Sequence, residues 1–213
     1  MNIGRLVRHL DFLDERRWLE VLREHDFWRD SPVYQEQYDD AHKALAFFTL
    51  ASNGRLGLSA GHGEGSPDFD HASVPKAFLE DERLQVLVSG WAQTHSRQYG
   101  PGFVAKMGLY AFAPGGHAGY HVDGVVRLAG DPYDLSTQRE WDAAMHIQSS
   151  HRTVMPLMLG EGSEFLIVGR AVRMTPGLWF EFSNTLPHAF FNHSDRHSIL
   201  LVTTYKPHAN AIV

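Results

Sequence analysis

The strongest constraint on how this chain can fold is a change of texture at Gly100-Pro101-Gly102. After that break, short apolar runs recur at residues 103–113, 153–159, 164–168, 178–182 and 198–205. Pro114-Gly115-Gly116, Gly160-Glu161-Gly162 and Pro176-Gly177 stand between them as turn signals. Short strand-like runs punctuated regularly by proline and glycine predict a β-sandwich or small barrel. Before the break the pattern is helical and mixed. Asp14 is placed to cap a helix with Trp18, Val21, Leu22 and His25 on one face, and a second helix is predicted over 81–98 with Leu84, Leu87, Val88 and Trp91 inward. Residues 45–50 (LAFFTL) predict a strand, the glycine- and serine-rich stretch 51–67 a mobile loop, and 124–150 an insertion or lid. The expectation is an α+β, mainly β domain over residues 1–213, with a helical part (1–102) packed outside a β core (103–207).

Composition narrows the function. A net charge of −6 gives no bias toward phosphate backbones or anionic membranes, so neither nucleic acid nor membrane is expected as a partner. The absence of cysteine removes disulfides, thiolate catalysis and zinc–thiolate sites, and fits a reducing compartment. The first residues lack a signal-like apolar core and no stretch reaches membrane-spanning length, so a cytoplasmic location is expected. Nothing in the sequence specifies an oligomeric state. Fourteen histidines direct attention to metal binding.

His121-Val122-Asp123 puts an imidazole and a carboxylate two residues apart, on one side of an extended segment. Two imidazoles and one carboxylate on one face of an octahedron is the arrangement of non-haem iron(II) oxygenases, leaving three positions open. The tripeptide alone is a weak signal, since about one His-x-Asp arises by chance here. Another, His193-Ser194-Asp195, lies too near the C-terminus to be followed by a distal histidine on a later strand. Leu186-Pro187-His188 follows run 178–182 across a short turn, the proline restricting the approach to His188. Arg196-His197-Ser198 then opens the last strong strand. Taken alone Arg196 reads as a solvated strand-start residue; its place behind His188 makes it a candidate cation for a dicarboxylate.

These residues resemble the aspartyl/asparaginyl β-hydroxylase-like dioxygenases, which include the bacterial proline cis-4-hydroxylases. The likeness spans roughly residues 103–207. It is carried by Pro114-Gly115-Gly116-His117-Ala118-Gly119-Tyr120-His121, by Arg152 with Met155-Pro156-Leu157, and by 177–184 with Pro187-His188 and Asn192. The resemblance implies a double-stranded β-helix (a cupin-like jelly roll), iron(II), 2-oxoglutarate as co-substrate and O2. It implies His121, Asp123 and His188 as metal ligands, Arg196 with Ser198 at the distal carboxylate of 2-oxoglutarate, Arg152 near co-substrate or substrate, and Tyr110 as a further donor. Arg196 follows the distal histidine at a shorter interval than the family's arginine, and Val154 replaces a family histidine.

The expected activity is a hydroxylase, oxidising an unactivated C–H bond of an amino acid or of an amino-acid residue in a peptide. The competing reading is a cupin-like metal- or small-molecule-binding or regulatory domain without turnover. His117 is expected to support the site or point away, Gly61-His62-Gly63-Glu64-Gly65 to be a flexible lid, and Trp179, Phe180, Phe182, Phe190 and Phe191 to be core.

Overall fold

The computed structural model describes residues 7–26, 28–29, 37–39, 42–52, 55–56, 75–121, 150–183 and 186–208. Residues 124–149 of the expected lid (124–150), the glycine-rich segment 61–65 and Asp123 lie outside the described residues.

The elements run β1 (Val7–Phe12), α1 (Glu15–His25), β2 (Gln37–Asp39), β3 (His42–Ser52), β4 (Arg55–Leu56), α2 (Lys76–Leu79) and α3 (Glu82–Tyr99). There follow β5 (Gly102–His121), β6 (His151–Met158), β7 (Glu164–Ile167), β8 (Arg170–Val172), β9 (Leu178–Phe182), β10 (His188–Phe191) and β11 (Ser198–Pro207). Both predicted helices are present. The Asp81 side chain accepts from the Arg83 backbone N–H at 2.9 Å and so caps α3, which Gly100 ends at φ +86°. Buried Leu84, Val88, Trp91 and His95 fall on one helical face. On α1, Trp18, Val21 and Leu22 are buried.

The strands pair antiparallel in the order β1-β9-β6-β11-β5-β10-β7-β8, with β3 added on β5 and carrying β2 and β4. The ladder folds over on itself. Phe165 of β7 meets Phe180 and Phe182 of β9 at 5.3 Å between ring centroids, although those strands are not ladder neighbours. One core lies inside this fold, drawing Phe112, Val154, Phe165, Ile167, Phe180, Phe182, Phe190, Leu200 and Val202 from both layers. A second core fills the outer face between sheet and helices, with Trp18, Leu22, Leu84, Trp91, Leu109, Leu157, Trp179 and Leu201. This is the jelly-roll, double-stranded β-helix architecture with helices packed outside it. Among the described residues no helix is long and apolar enough to cross a membrane.

Two expectations need correction. Pro114-Gly115-Gly116 does not end a strand: β5 runs through it and changes partner, pairing with β11 up to Phe112 and with β10 from His117. Pro114 has no N–H to give a ladder and Gly115 sits at φ +69°, so the strand bends here from one layer to the other. The stretch from residue 51 also opens as structure, since Ala51 pairs with Leu56 and Ser52 with Arg55; residues 57–67 lie outside the described residues.

Candidate active site

His121 ends β5 and His188 begins β10, and the two are direct cross-strand partners. Their ladder is irregular. His188 pairs with His121 and Phe190 with Ala118, so a three-residue step on β5 faces a two-residue step on β10. In a regular strand Ala118 and His121 would face opposite sides; the extra residue at Gly119-Tyr120 turns His121 inward as well. The imidazole centroids are 4.3 Å apart at 54°. His188 is buried and His121 half-buried. Phe182 meets the His188 ring edge-on at 4.8 Å, and Phe165 stacks at 6.0 Å.

Both imidazoles are oriented the same way. His121 Nδ1 lies 2.7 Å from the Gly119 carbonyl oxygen, and His188 Nδ1 2.9 Å from that of Leu186. A carbonyl only accepts, so Nδ1 carries the proton in each ring and Nε2 carries the lone pair. Backbone bonds of this kind set the tautomer of metal-binding histidines, and the pair has the donor chemistry of a divalent-metal site. Among the described residues no group of three His, Asp or Glu is spaced to hold a metal; the expected third ligand, Asp123, lies outside them.

Directly across from Phe182 on β6 stands Arg152. Its guanidinium Nη1 donates to Thr204 Oγ1 at 2.7 Å and Nη2 to Tyr110 Oη at 3.4 Å. Arg152 shares its face with Val154, and Thr204 shares its face with Val202, so all belong to the inward side of the sheet. Tyr110 packs on the same inner core. A half-buried cation, a phenol and a hydroxyl therefore converge one phenylalanine away from the paired histidines, an arrangement suited to a carboxylate.

Arg196 and Ser198 are elsewhere. The Arg196 side chain is exposed, and its carbonyl accepts from Asn192 Nδ2 at 2.7 Å and Ser194 Oγ at 2.9 Å. Ser198 Oγ accepts the Gly160 N–H at 2.9 Å and lies 3.0 Å from Ser163 Oγ, tying down the turn before β7. Ser198 and Thr204 are separated by about 20 Å along β11, at roughly 3.3 Å per residue, so their hydroxyls cannot serve one carboxylate. Of the sequence-derived candidates, the structure brings together His121 with His188, and Arg152 with Tyr110. Thr204 is the member sequence reasoning missed. Its signal was present: in the inward series Leu200, Val202, Thr204, the last residue is polar.

His117 packs against Phe191 with ring centroids 5.7 Å apart, the planes tilted by 31°. Trp179, Phe180, Phe182 and Phe190 are core; Phe191 is half-buried, and Phe182 borders the site.

No family model and no curated protein matches the chain. Among solved structures it is similar to an oxidoreductase of the 2OG-Fe(II) oxygenase family from Burkholderia pseudomallei, at 13% identity and a TM-score of 0.52, covering 97% of this chain and 87% of that one. At 12% identity and a TM-score of 0.49 it is also similar to a Pseudomonas putida prolyl-4-hydroxylase, covering 97% and 96% of the two chains. A viral collagen prolyl hydroxylase from Paramecium Bursaria Chlorella virus-1, as its 2OG complex, gives 11% identity, a TM-score of 0.49 and coverages of 96% and 98%. At 13% identity the likeness to the Burkholderia pseudomallei structure is one of fold, and it agrees with the jelly roll described above.

Proposed function

We propose that this protein is an iron(II)- and 2-oxoglutarate-dependent oxygenase that hydroxylates a C–H bond of an amino acid or of an amino-acid residue in a peptide. The observation that carries this reading is the pair of cross-strand imidazoles, each with Nδ1 tied to its own backbone, facing the same interior as the Arg152–Tyr110–Thr204 cluster. His121 and His188 would hold the metal through Nε2, with Asp123 as the third ligand. Iron(II), when bound, supplies the oxygen chemistry that couples decarboxylation of 2-oxoglutarate to hydroxylation.

The chain's own residues orient and enclose. Arg152 takes the distal carboxylate of 2-oxoglutarate as a planar, permanently charged donor, and the Tyr110 and Thr204 hydroxyls fix the direction of its fork. This moves the role expected of Arg196 and Ser198 to Arg152 on β6 and to Thr204 at the other end of β11. Phe165 and Phe182 border His188 with apolar rings and keep bulk water from that side of the site. The choice of an amino-acid substrate follows the resemblance of the His121 and His188 segments to the β-hydroxylase-like enzymes.

Succinate formation from 2-oxoglutarate with iron(II) and ascorbate tests the reading. The wild-type chain should turn over slowly without substrate and faster with the right amino acid or peptide, and His188→Ala should abolish both. Tight metal binding without succinate, across free amino acids and peptides, would instead identify a binding module.

A further inference from the structure

The inner face of the sheet is explained by the reading above; the outer face directly behind Arg152 is not. Thr153 and Thr203 are cross-strand partners on β6 and β11, and the adjacent rung is Arg152 with Thr204. Because side chains alternate, the first rung faces α3 and the second faces the interior. Both outward threonines are fully buried and both are bonded to α3. Trp91 Nε1 donates to Thr203 Oγ1 at 2.8 Å. Four residues on, His95 Nε2 lies 2.8 Å from Thr153 Oγ1, and His95 Nδ1 lies 2.9 Å from the Trp91 carbonyl oxygen. The carbonyl fixes the proton on Nδ1, so Nε2 accepts and the Thr153 hydroxyl donates. A further four residues on, the Tyr99 ring stacks on His151 at 3.8 Å, and His151 Nδ1 meets Glu181 Oε1 at 2.6 Å. Trp91, His95 and Tyr99 thus form a line along α3 that grips residues on either side of Arg152.

This is more than the helix needs in order to pack. Leu84, Val88 and the body of Trp91 already bury an apolar face against the sheet. A histidine with no exposed surface, ringed by Trp91 at 4.6 Å, Trp179 at 5.1 Å and Tyr205 at 5.6 Å, gives up hydration and recovers it only through bonds with fixed directions. Directional bonds set position where apolar contact sets only proximity. The position set is that of the rung whose neighbour carries the guanidinium.

We infer that α3 acts as a positioning clamp for the anion-binding cluster, with His95 and Trp91 holding the Thr153–Thr203 rung so that Arg152 and Thr204 on the adjacent rung meet a dicarboxylate in register. The inference rests on the co-substrate reading above. His95 touches no ligand and is a positioning residue: it fixes β6 through Thr153, and β6 aims Arg152.

The test compares two keto acids on the iron(II)-loaded protein without oxygen, by titration calorimetry: 2-oxoglutarate, which has a distal carboxylate, and pyruvate, which lacks one. The ratio of their dissociation constants reads the distal anchor alone, and general destabilisation does not move it. Thr153→Val keeps the shape of the side chain and removes the donor to His95. It should lower the preference for 2-oxoglutarate by about five- to tenfold with pyruvate affinity unchanged, and Thr153→Ser should restore it. Should Thr153→Val not fold, Trp91→Phe removes the N–H to Thr203 on the same rung and must lower the preference likewise. A Thr153→Val or Trp91→Phe protein with wild-type preference overturns the clamp. The control is Arg152→Met. If it erases the preference while Thr153→Val does not, the clamp fails and the anchor stands; if the wild type has no preference, both fall.

Discussion

His95 is the residue with the plainest electrostatic consequence. Burial beneath α3 drives its pKa down to about 4; the hydrogen bond to the Trp91 carbonyl works against this, as does the Glu181 charge, while His151 adds to the depression. Beside it, burial works to raise the Glu181 carboxyl, but His151, the Tyr99 hydroxyl and the Arg8 charge together outweigh it and leave the group below the ordinary carboxylate value. In the unfolded chain His95 titrates near 6.5, so between that pH and about 4 the unfolded state binds the extra proton. Stability from this group is complete above pH 6.5 and is lost as pH falls toward 4, by up to about 3 kcal/mol. Urea unfolding should therefore weaken steadily from pH 7 to 4.5, and His95→Gln should flatten that slope. Equal slopes in the two proteins would mean His95 is already charged in the fold. The sequence shows His95 four residues after Trp91, on a helical face already assigned inward, but its partner lies 58 positions away on β6. His121 and His188 were legible because a local tripeptide and a local turn announce them. Arg152 against Arg196 was not decidable locally: both are arginines at the start of strands, and only the pairing of β6 with β9 and β11 separates the inward one from the exposed one.

The helices α1 and α3 were legible because burial of one face writes itself into spacing, and β9 and β11, buried on both faces, were legible as short apolar runs bounded by turn signals. β1 and β10 were not, because short strands with mixed composition are defined by the partner that completes them. β10 is only four residues long, HAFF, and lies between β5 and β7. The hairpin between β7 and β8 contains a turn whose local sequence opposes its geometry. Ile167 pairs with Arg170, leaving a two-residue loop, and Val168 and Gly169 sit at φ +50° and +71°. Two consecutive positive φ values are the signature of the tight hairpin turn that favours Asn-Gly, and a β-branched valine is strained there. Val168 is 45% exposed and loses little packing on replacement, while its N–H donates to the Pro187 carbonyl at 2.8 Å, a bond asparagine keeps. Val168→Asn should raise stability by about 1 kcal/mol, read as a higher urea midpoint at unchanged slope. A lower midpoint would show that the valine side chain contributes more than its backbone strain removes.

At the scale of the molecule, the site joins two layers that are otherwise held by ladder bonds and ring contacts. His188 lies on β10, in the layer with β7 and β8, whereas Arg152 lies on β6, between β9 and β11. On the proposed function, a dicarboxylate held at one end by the metal and at the other by Arg152 would span the interior and tie the layers together, so it should bind the folded chain and not the unfolded one. Binding of that kind adds about 2.7 kcal/mol at a ligand concentration a hundred times its dissociation constant. Thermal unfolding should therefore show two increments in Tm, one with iron(II) and a second with 2-oxoglutarate added to the iron-loaded protein. His188→Ala should remove both, because the metal is lost and the keto acid loses its chelate. Arg152→Met should keep the first and lose the second. Arg196→Ala should keep both, since its side chain is exposed and lies just before β11, at the end of that strand away from Thr204. If Arg196→Ala loses the second increment while Arg152→Met retains it, the distal carboxylate sits at the opposite end of the strand, and the inward cluster around Tyr110 and Thr204 must be assigned to substrate instead.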